Sequence, residues 1–275
     1  MLKCVVGVLR TDESGENMTD RERTVNRLNK LIKHAHNEIS DFVYLNVETA
    51  KLIVKMLEEQ EVIMEEKKKP FFSVIVTAHD AEEFLKTALH SVRIQTFTDY
   101  ELIVVCDKCK DKTSDIALGY ADRTLIREYG LCGLARNAGL DAANGEYVLF
   151  MDDDDHWMHE HAFEMIAEEV KVQRPDILLF GFHWKGKGNV YQSPTYRTWA
   201  VWNKCWRREY IGDLRFDDYE YGEDVAFSKK MFLNGPCMAY LDSPLYYYNF
   251  MRPNSQTWKK ERGLVKYGPR GGDEE

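Results

Sequence analysis

From about residue 71 onward, short apolar runs alternate with stretches of helical periodicity. The strand-like runs contain β-branched and aromatic residues, and the stretches between them repeat apolar positions at helical spacing. This alternation predicts βαβ units, and therefore an α/β fold with a mostly parallel sheet flanked by helices. The predicted strands are 72–77, 101–105, 124–126, 147–151 and 177–180, and the predicted helices are 81–93, 111–121, 134–143 and 157–172.

The pattern changes on both sides of this segment. Residues 1–69 are rich in Glu, Lys, Asn and Arg, and their apolar positions predict a helical N-terminal appendage. The charged run 65–69 before Pro70 is typical of a linker, although helices packed on the main domain would give the same pattern. After about residue 186, aromatic and charged residues dominate, and we expect substrate-binding elements over one edge of the sheet. The predicted domains are 1–69, 70–257 and a C-terminal tail, 258–275.

The composition narrows the classes of function. The chain has 275 residues and a net charge of −9, whereas nucleic-acid binding requires a basic surface, so a nucleic-acid partner is not expected. Six scattered cysteines do not resemble a small secreted disulfide framework, and we expect a reducing, cytoplasmic location. No apolar run reaches the ~18 residues of a membrane helix, which leaves only peripheral membrane contact.

Four consecutive aspartates, 152–155, directly follow the apolar run 146–151. Carboxylates this close together repel one another, and Mg²⁺ or Mn²⁺, which prefer oxygen ligands, would offset the repulsion. In open α/β sheets, ligands bind just beyond the carboxyl ends of the strands. The cluster therefore indicates a site for a metal-bound diphosphate, and the alternative is a solvated acidic turn.

Polar side chains follow two other predicted strands. Thr77 and His79 come after the first strand and Asp107 after the second. The carboxyl ends of parallel strands share one edge of a sheet, so we expect these residues near the aspartates, with Asp107 placed to bind a base or ribose. The glycine-rich signatures of dinucleotide-binding Rossmann domains and of P-loop proteins are absent from the sequence.

Six segments in order resemble family 2 glycosyltransferases of the GT-A fold, a Rossmann-like α/β fold. Each segment alone is modest, but their order and spacing over residues 71–257 are specific. The matching segments are 72–80, 91–107, 135–147, 152–157, 222–227 and 246–255.

The resemblance implies roles for particular positions. Asp152 and Asp154 match the ends of the family's Asp-x-Asp motif, with Asp153 between them, and Asp154 is the expected direct ligand of Mn²⁺ or Mg²⁺. Asp224 matches the catalytic base, and Glu223 is the alternative. The expected donor-binding positions are Thr77, His79 and Asp107 at the nucleoside, Arg136, Asp152 and Asp153 near the donor, and Arg252 and Ser255 in a flexible loop over the diphosphate.

The implied activity is metal-dependent, inverting transfer of a sugar from a nucleoside-diphosphate sugar, with a UDP-sugar as the expected donor, to a hydroxyl of a glycan. A divalent cation would stabilise the departing diphosphate, and a carboxylate would take the proton of the acceptor hydroxyl. The alternatives are a Mg²⁺-dependent sugar nucleotidyltransferase, a glycosyltransferase acting on a modified DNA base, and a non-catalytic sugar- or nucleotide-binding module.

Three local patterns have two interpretations each. Cys106 and Cys109 could bind zinc but lack a second ligand pair, so two reduced thiols are favoured. His156 could add a metal ligand, or it could cover the helix predicted from Trp157. The tryptophans could form a sugar-stacking platform, or two of them could belong to the core; they are Trp199, Trp202 and Trp206.

Overall fold

The computed structural model describes Lys55 and residues 69–250, 252–253, 255–265 and 268–269. The predicted helical appendage therefore lies outside the described residues except for Lys55 and Lys69. The end of the tail, 270–275, lies outside them as well. The unit that begins at Lys69 carries all the elements described below.

The elements follow the predicted alternation of strands and helices. The strands are β1 (Phe72–Ala78), β2 (Tyr100–Asp107), β3 (Arg123–Arg127), β4 (Tyr147–Asp152), β5 (His156–Trp157), β6 (Ile177–Trp184), β7 (Gly188–Val190), β8 (Lys204–Arg207), β9 (Tyr219–Tyr221), β10 (Met238–Tyr248) and β11 (Gly268–Pro269). The helices are α1 (Leu85–Arg93), α2 (Thr113–Tyr120), α3 (Cys132–Ala142), α4 (Ala162–Gln173), α5 (Arg208–Ile211), α6 (Glu223–Leu233) and α7 (Gln256–Glu261). The predicted domain boundary at 257 falls inside α7.

The main sheet has the strand order β3-β2-β1-β4-β8-β6-β10-β5, with β7 paired to β6. β1 runs parallel to both β2 and β4, and β6 runs parallel to β10. β8 is antiparallel to both of its neighbours, β4 and β6. The prediction of a mostly parallel sheet is confirmed, and the carboxyl ends of β1, β2 and β4 meet at one edge.

Helices cover both faces of the sheet, which explains why its central strands are buried along almost their whole length. Successive residues of β1 point to opposite faces: Val74 and Val76 pack against α1 and α4, and Ile75 packs on the side of α3 and α6. All seven residues of β1 are buried. These continuous buried runs fix the positions of the strand ends that carry the polar residues.

The expectation that residues after 186 lie over one edge of the sheet is wrong for β8 and β10, which are strands of the sheet itself. β8 is inserted between β4 and β6, and its Cys205 and Trp206 are fully buried. The strand escaped prediction because it has only four residues, two of them basic. A run this short gives too few positions for a period to be recognised.

A helix predicted over 157–172 is present, but its predicted start is wrong, since α4 runs over Ala162–Gln173. His156 and Trp157 instead form β5, which pairs antiparallel with β10. Trp157 is buried, and its amide donates a hydrogen bond to Ser91 Oγ at 3.1 Å. This tertiary contact overrides the local helical pattern. α1 likewise begins at Leu85 rather than at residue 81.

Two helical glycines should respond to alanine with opposite signs. A Cβ at Gly139 in α3 would lie 2.3 Å from Ile75 Cγ2, whereas a Cβ at Gly119 in α2 would meet nothing within 4 Å. We expect Gly139→Ala to destabilise the fold by about 1–3 kcal/mol through overpacking. Gly119→Ala should stabilise it by about 0.5–1 kcal/mol, because alanine loses less backbone entropy in a helix. Urea unfolding measures both values, and a shared sign would contradict the packing argument.

Candidate active site

A cavity of about 920 Å³ opens at the carboxyl ends of β1, β2 and β4. Its wall continues through the start of α3, the start of α6 and the segment 248–259. The topology thus brings distant parts of the sequence to one place, as expected for an open α/β sheet. Every predicted site residue lines this cavity: Thr77, His79, Asp107, Arg136, Asp152, Asp153, Asp154, Glu223, Asp224, Arg252 and Ser255.

The aspartate cluster is largely buried, which contradicts the alternative of a solvated acidic turn. Asp153 and Asp155 are 7% and 1% exposed. Asp153 accepts a hydrogen bond from the backbone amide of His79 at 3.0 Å, and Asp155 accepts one from the amide of Asn249 at 2.8 Å. These contacts tie the turn after β4 to the end of β1 and to the segment after β10.

Burial disfavours the ionised form of these carboxyl groups and so raises their pKa values. Burial raises the pKa of Asp153 to about 8, and the neighbouring Asp154 carboxylate adds to the effect. Burial also raises the pKa of Asp154, while Arg252 opposes the rise. Burial raises the pKa of Asp155 well above its usual range. A cation at this position would relieve both the desolvation and the mutual repulsion.

Arg136 connects the aspartate cluster to α6. Its guanidinium donates to Asp152 Oδ1 at 2.9 Å and to Glu223 Oε1 at 2.6 Å, and its side chain is only 6% exposed. The two carboxylates lie at the end of β4 and at the first residue of α6. Arg136 therefore fixes the distance between the two halves of the cavity.

The two candidate bases, Glu223 and Asp224, have different surroundings. Glu223 is ion-paired to Arg136, whereas no ion pair among the described residues involves Asp224. Gly222, with a φ of 87°, turns the chain at the start of α6, and Asp224 Oδ1 accepts a hydrogen bond from the amide of Val225 at 2.7 Å. Burial, together with the nearby Glu223 carboxylate, raises the pKa of Asp224 to about 7. A carboxylate with this pKa is suited to accept a proton near neutral pH.

Asp107 has a structural function that the sequence did not indicate. Its Oδ1 accepts a hydrogen bond from the amide of Tyr129 at 2.7 Å. Its Oδ2 accepts from the amides of Gly130 and Leu131 at 2.7 and 3.1 Å. Both oxygens thus hold the loop before α3, and a direct contact of Asp107 with a nucleoside stays a prediction. The backbone oxygen of Asp107 lies 2.7 Å from His79 Nδ1 and orients that ring at the cavity wall.

The three tryptophans do not form one platform. Trp206 is fully buried, and Trp199, 37% exposed, packs on Phe232. Trp202 alone of the three lines the cavity, with its ring stacked on Tyr246 and Tyr248 at centroid distances of 4.9 and 4.8 Å. Other residues of the wall have no recognisable spacing in the sequence, among them Asp111, Tyr221, Tyr248 and Lys259.

The family model described as glycosyl transferase family 2 matches residues 73–247. The chain belongs to glycosyl transferase family 2. It is 30% identical over 219 residues to the uncharacterized glycosyltransferase EpsJ of Bacillus subtilis, covering 68% of this chain and 63% of EpsJ. A crystal structure of S. aureus TarS in complex with UDP-GlcNAc matches with a TM-score of 0.62 at 26% identity, covering 68% of this chain and 60% of that one. The mannosyltransferase PcManGT from Pyrobaculum calidifontis, at 17% identity and a TM-score of 0.57, shares the fold over 70% of this chain and 61% of its own.

These likenesses confirm the predicted family and the GT-A fold. The chain spans about three fifths of the length of EpsJ, of the crystallised TarS chain 1–349 and of PcManGT. In the part of the chain that the structure describes, no helix is both long enough and apolar enough to cross a membrane.

The charge of the cavity wall fits a divalent cation. Of the described residues that line it, ten are Asp or Glu and three are Arg or Lys. This excess of negative charge would repel a nucleoside diphosphate unless a cation accompanied it. No three His, Cys, Asp or Glu side chains converge as a ready-made metal cage within the described ranges. Mg²⁺ and Mn²⁺ prefer oxygen ligands, and Mg²⁺ is usually held by only one or two carboxylates together with water and phosphate oxygens.

The other candidate ligands lie apart from this arrangement. His156 stacks on Tyr247, with ring centroids 4.4 Å apart, as part of β5. It does not cover a helix, and it is absent from the cavity wall. Cys106 is a buried free thiol and Cys109 a half-buried one.

Proposed function

We propose that this chain is a metal-dependent, inverting glycosyltransferase that moves a sugar from a UDP-sugar to a hydroxyl group of a glycan acceptor. The observation that carries the proposal is that carboxylates from two separate elements of the fold line one cavity. Asp152 and Asp154 stand at the end of β4, and Asp224 stands at the start of α6. The UDP-GlcNAc complex of the related TarS supports a UDP-sugar as the donor.

Asp154 and Asp152 would hold the divalent cation, since their oxygens are the ligands that Mg²⁺ and Mn²⁺ prefer. When bound, the cation supplies a Lewis acid that stabilises the negative charge of the departing diphosphate. Thr77 and His79 line the same wall, and we assign them to the nucleoside of the donor. Arg136 keeps Asp152 oriented, because its guanidinium holds one of the two carboxylate oxygens.

Asp224 takes the proton from the acceptor hydroxyl as that oxygen attacks the anomeric carbon. The anomeric carbon develops oxocarbenium character, as it does in glycoside hydrolysis. With one base and no assigned nucleophile, a single displacement follows, and that displacement inverts the anomeric configuration. The paired Glu223 serves as the partner of Arg136 rather than as the base.

The two enzymatic alternatives, a sugar nucleotidyltransferase and a glycosyltransferase acting on a modified DNA base, have less support than this proposal. A sugar nucleotidyltransferase commonly needs a glycine-rich phosphate loop near its first strand, and residues 77–83 contain no glycine. A DNA-base acceptor would have to approach a wall with ten acidic side chains on a chain with a net charge of −9. Phosphate groups of DNA are repelled by such a surface.

A thermal-shift experiment tests the donor and the metal together. We expect UDP or a UDP-sugar to raise the melting temperature in Mn²⁺ and to lose this effect in chelator. A ligand at 100 times its Kd adds about 2.7 kcal/mol to the free energy of unfolding. Asp154→Asn should abolish the Mn²⁺-dependent shift, whereas Asp141→Asn, at an exposed pair with Arg215, should keep it. An equal donor shift in chelator would contradict the metal dependence, and release of pyrophosphate instead of UDP would contradict the transfer reaction.

A further inference from the structure

Arg252 lies directly on the carboxylates that are expected to hold the metal. Its Nε donates to Asp154 Oδ2 at 2.5 Å, and a terminal nitrogen lies 3.3 Å from Asp153 Oδ1. The guanidinium also lies over the ring of Phe84, 4.9 Å from its centroid, and the side chain is 15% exposed. Arg252 is therefore a half-buried cation in the acidic part of the cavity.

The two arginines of the cluster are held in different ways. Arg136 bridges residues of β4 and α6, two regular elements of the fold. Arg252 belongs to the short connection between β10 and α7, where its carbonyl oxygen accepts a hydrogen bond from the amide of Ser255 at 3.1 Å. Ser255 in turn caps α7 through Trp258 N. A change in the position of Arg252 therefore needs to move only this connection and not the sheet.

A guanidinium and a divalent cation held by the same Asp154 carboxylate would lie next to each other, even if each used a different lone pair. Two cations at contact distance repel each other, and each must be desolvated to enter the cluster. A diphosphate changes this balance, because its oxygens accept the planar fork of an arginine through paired hydrogen bonds. Arg252 should thus oppose the binding of a bare cation and favour the binding of a cation together with a diphosphate.

We propose that Arg252 and the divalent cation alternate on Asp154. Without metal, Arg252 neutralises Asp154 and Asp153; when a metal-bound nucleoside diphosphate enters, the guanidinium moves from Asp154 to the diphosphate oxygens. This inference rests on the proposed function and deepens it. Its consequence is that the enzyme binds the metal weakly alone and strongly with its nucleotide.

Titration of free Mn²⁺, followed by its electron paramagnetic resonance signal, tests the exchange in the full chain. We expect Arg252→Met to bind Mn²⁺ alone more tightly than the unsubstituted protein does. We expect the same variant to bind UDP, in the presence of excess Mn²⁺, less tightly than the unsubstituted protein does. Each change should fall within the roughly 5- to 150-fold range of typical coupling between ligands. Arg262→Met is the matched control. Arg262 follows the last residue of α7 and stacks on Trp258, without contacting the aspartates. It should change neither affinity.

A second measurement uses the unsubstituted protein and so does not depend on the folding of a variant. Mn²⁺ alone should speed hydrogen exchange of the α7 amides, and Mn²⁺ with UDP should slow it. Equal Mn²⁺ affinities of Arg252→Met and the unsubstituted protein would overturn the proposed alternation of Arg252 and the cation on Asp154, but not the proposed function. Failure of both proteins to bind Mn²⁺, with or without UDP, would overturn the metal dependence of the proposed function and the exchange with it.

Discussion

Asp224→Asn is expected to lower kcat for sugar transfer by about 10²- to 10⁴-fold, the usual contribution of general-base catalysis. The amide keeps the shape of the carboxylate but cannot accept the acceptor's proton. Asp224 lies at the start of α6, away from the turn after β4, so the Mn²⁺-dependent affinity for UDP should change little. Steady-state kinetics with a UDP-sugar, together with UDP titration, separates the two effects.

The pH profile gives a second test of the same residue. The pKa of Asp224 is raised to about 7, mainly by burial, so kcat should rise with pH through about 7 and then level off. Whereas kcat should rise with pH, the contribution of Asp224 to the free energy of unfolding should fall. Between pH 4 and 7 an unfolded Asp224 loses its proton while the folded one keeps it, so this group's contribution to stability falls across that window.

Glu223→Gln is the control that distinguishes the two carboxylates. It removes the charge that faces Arg136 and leaves Asp224 in place. We expect the rise of kcat with pH to remain, although its midpoint should shift downward because a neighbouring negative charge has been removed. Loss of the pH dependence in Glu223→Gln, with its retention in Asp224→Asn, would identify Glu223 as the base.

Arg136→Met is expected to destabilise the fold by about 3–5 kcal/mol, since breaking a buried ion pair leaves uncompensated charge. Asp152 and Glu223 would both lose the partner that they contact at 2.9 and 2.6 Å. The exposed pair of Lys230 and Asp217 provides the comparison. Lys230→Met should cost about 1 kcal/mol or less, as surface pairs do. Urea unfolding measures both values.

A double variant shows whether the bridge itself is responsible. If Arg136 stabilises the fold through Glu223, Arg136→Met combined with Glu223→Gln should cost less than the sum of the two single changes, by about 0.5–3 kcal/mol. Strict additivity would contradict the bridge. Either result can be read from the same unfolding curves.

The strands that could be predicted are those whose burial is visible in the local sequence as a long apolar run. β1, β2 and β4 are covered on both faces, and their apolar runs are long enough to be recognised. β5 and β8 could not be predicted, because two- and four-residue strands exist only through their partners. Their partners lie far away in the sequence.

The candidate site divides in the same way. The positions of Asp152, Asp154 and Asp224 could be inferred, because they follow recognisable strands or match family segments. The pairing of Arg136 with Glu223, 87 positions apart, could not. The use of Asp107 by three backbone amides also depends on a loop more than twenty positions away. Contacts of this kind are set by tertiary packing and leave no local pattern.

The insertion of β8 has a consequence for synthesis on the ribosome. Tyr147 of β4 pairs with Arg207 of β8, so one side of β4 stays unpaired until that later stretch has left the ribosome. An unpaired strand edge is a template for association with other chains. Until residues 204–207 have been synthesised, the nascent protein therefore carries an open strand edge beside its aspartates.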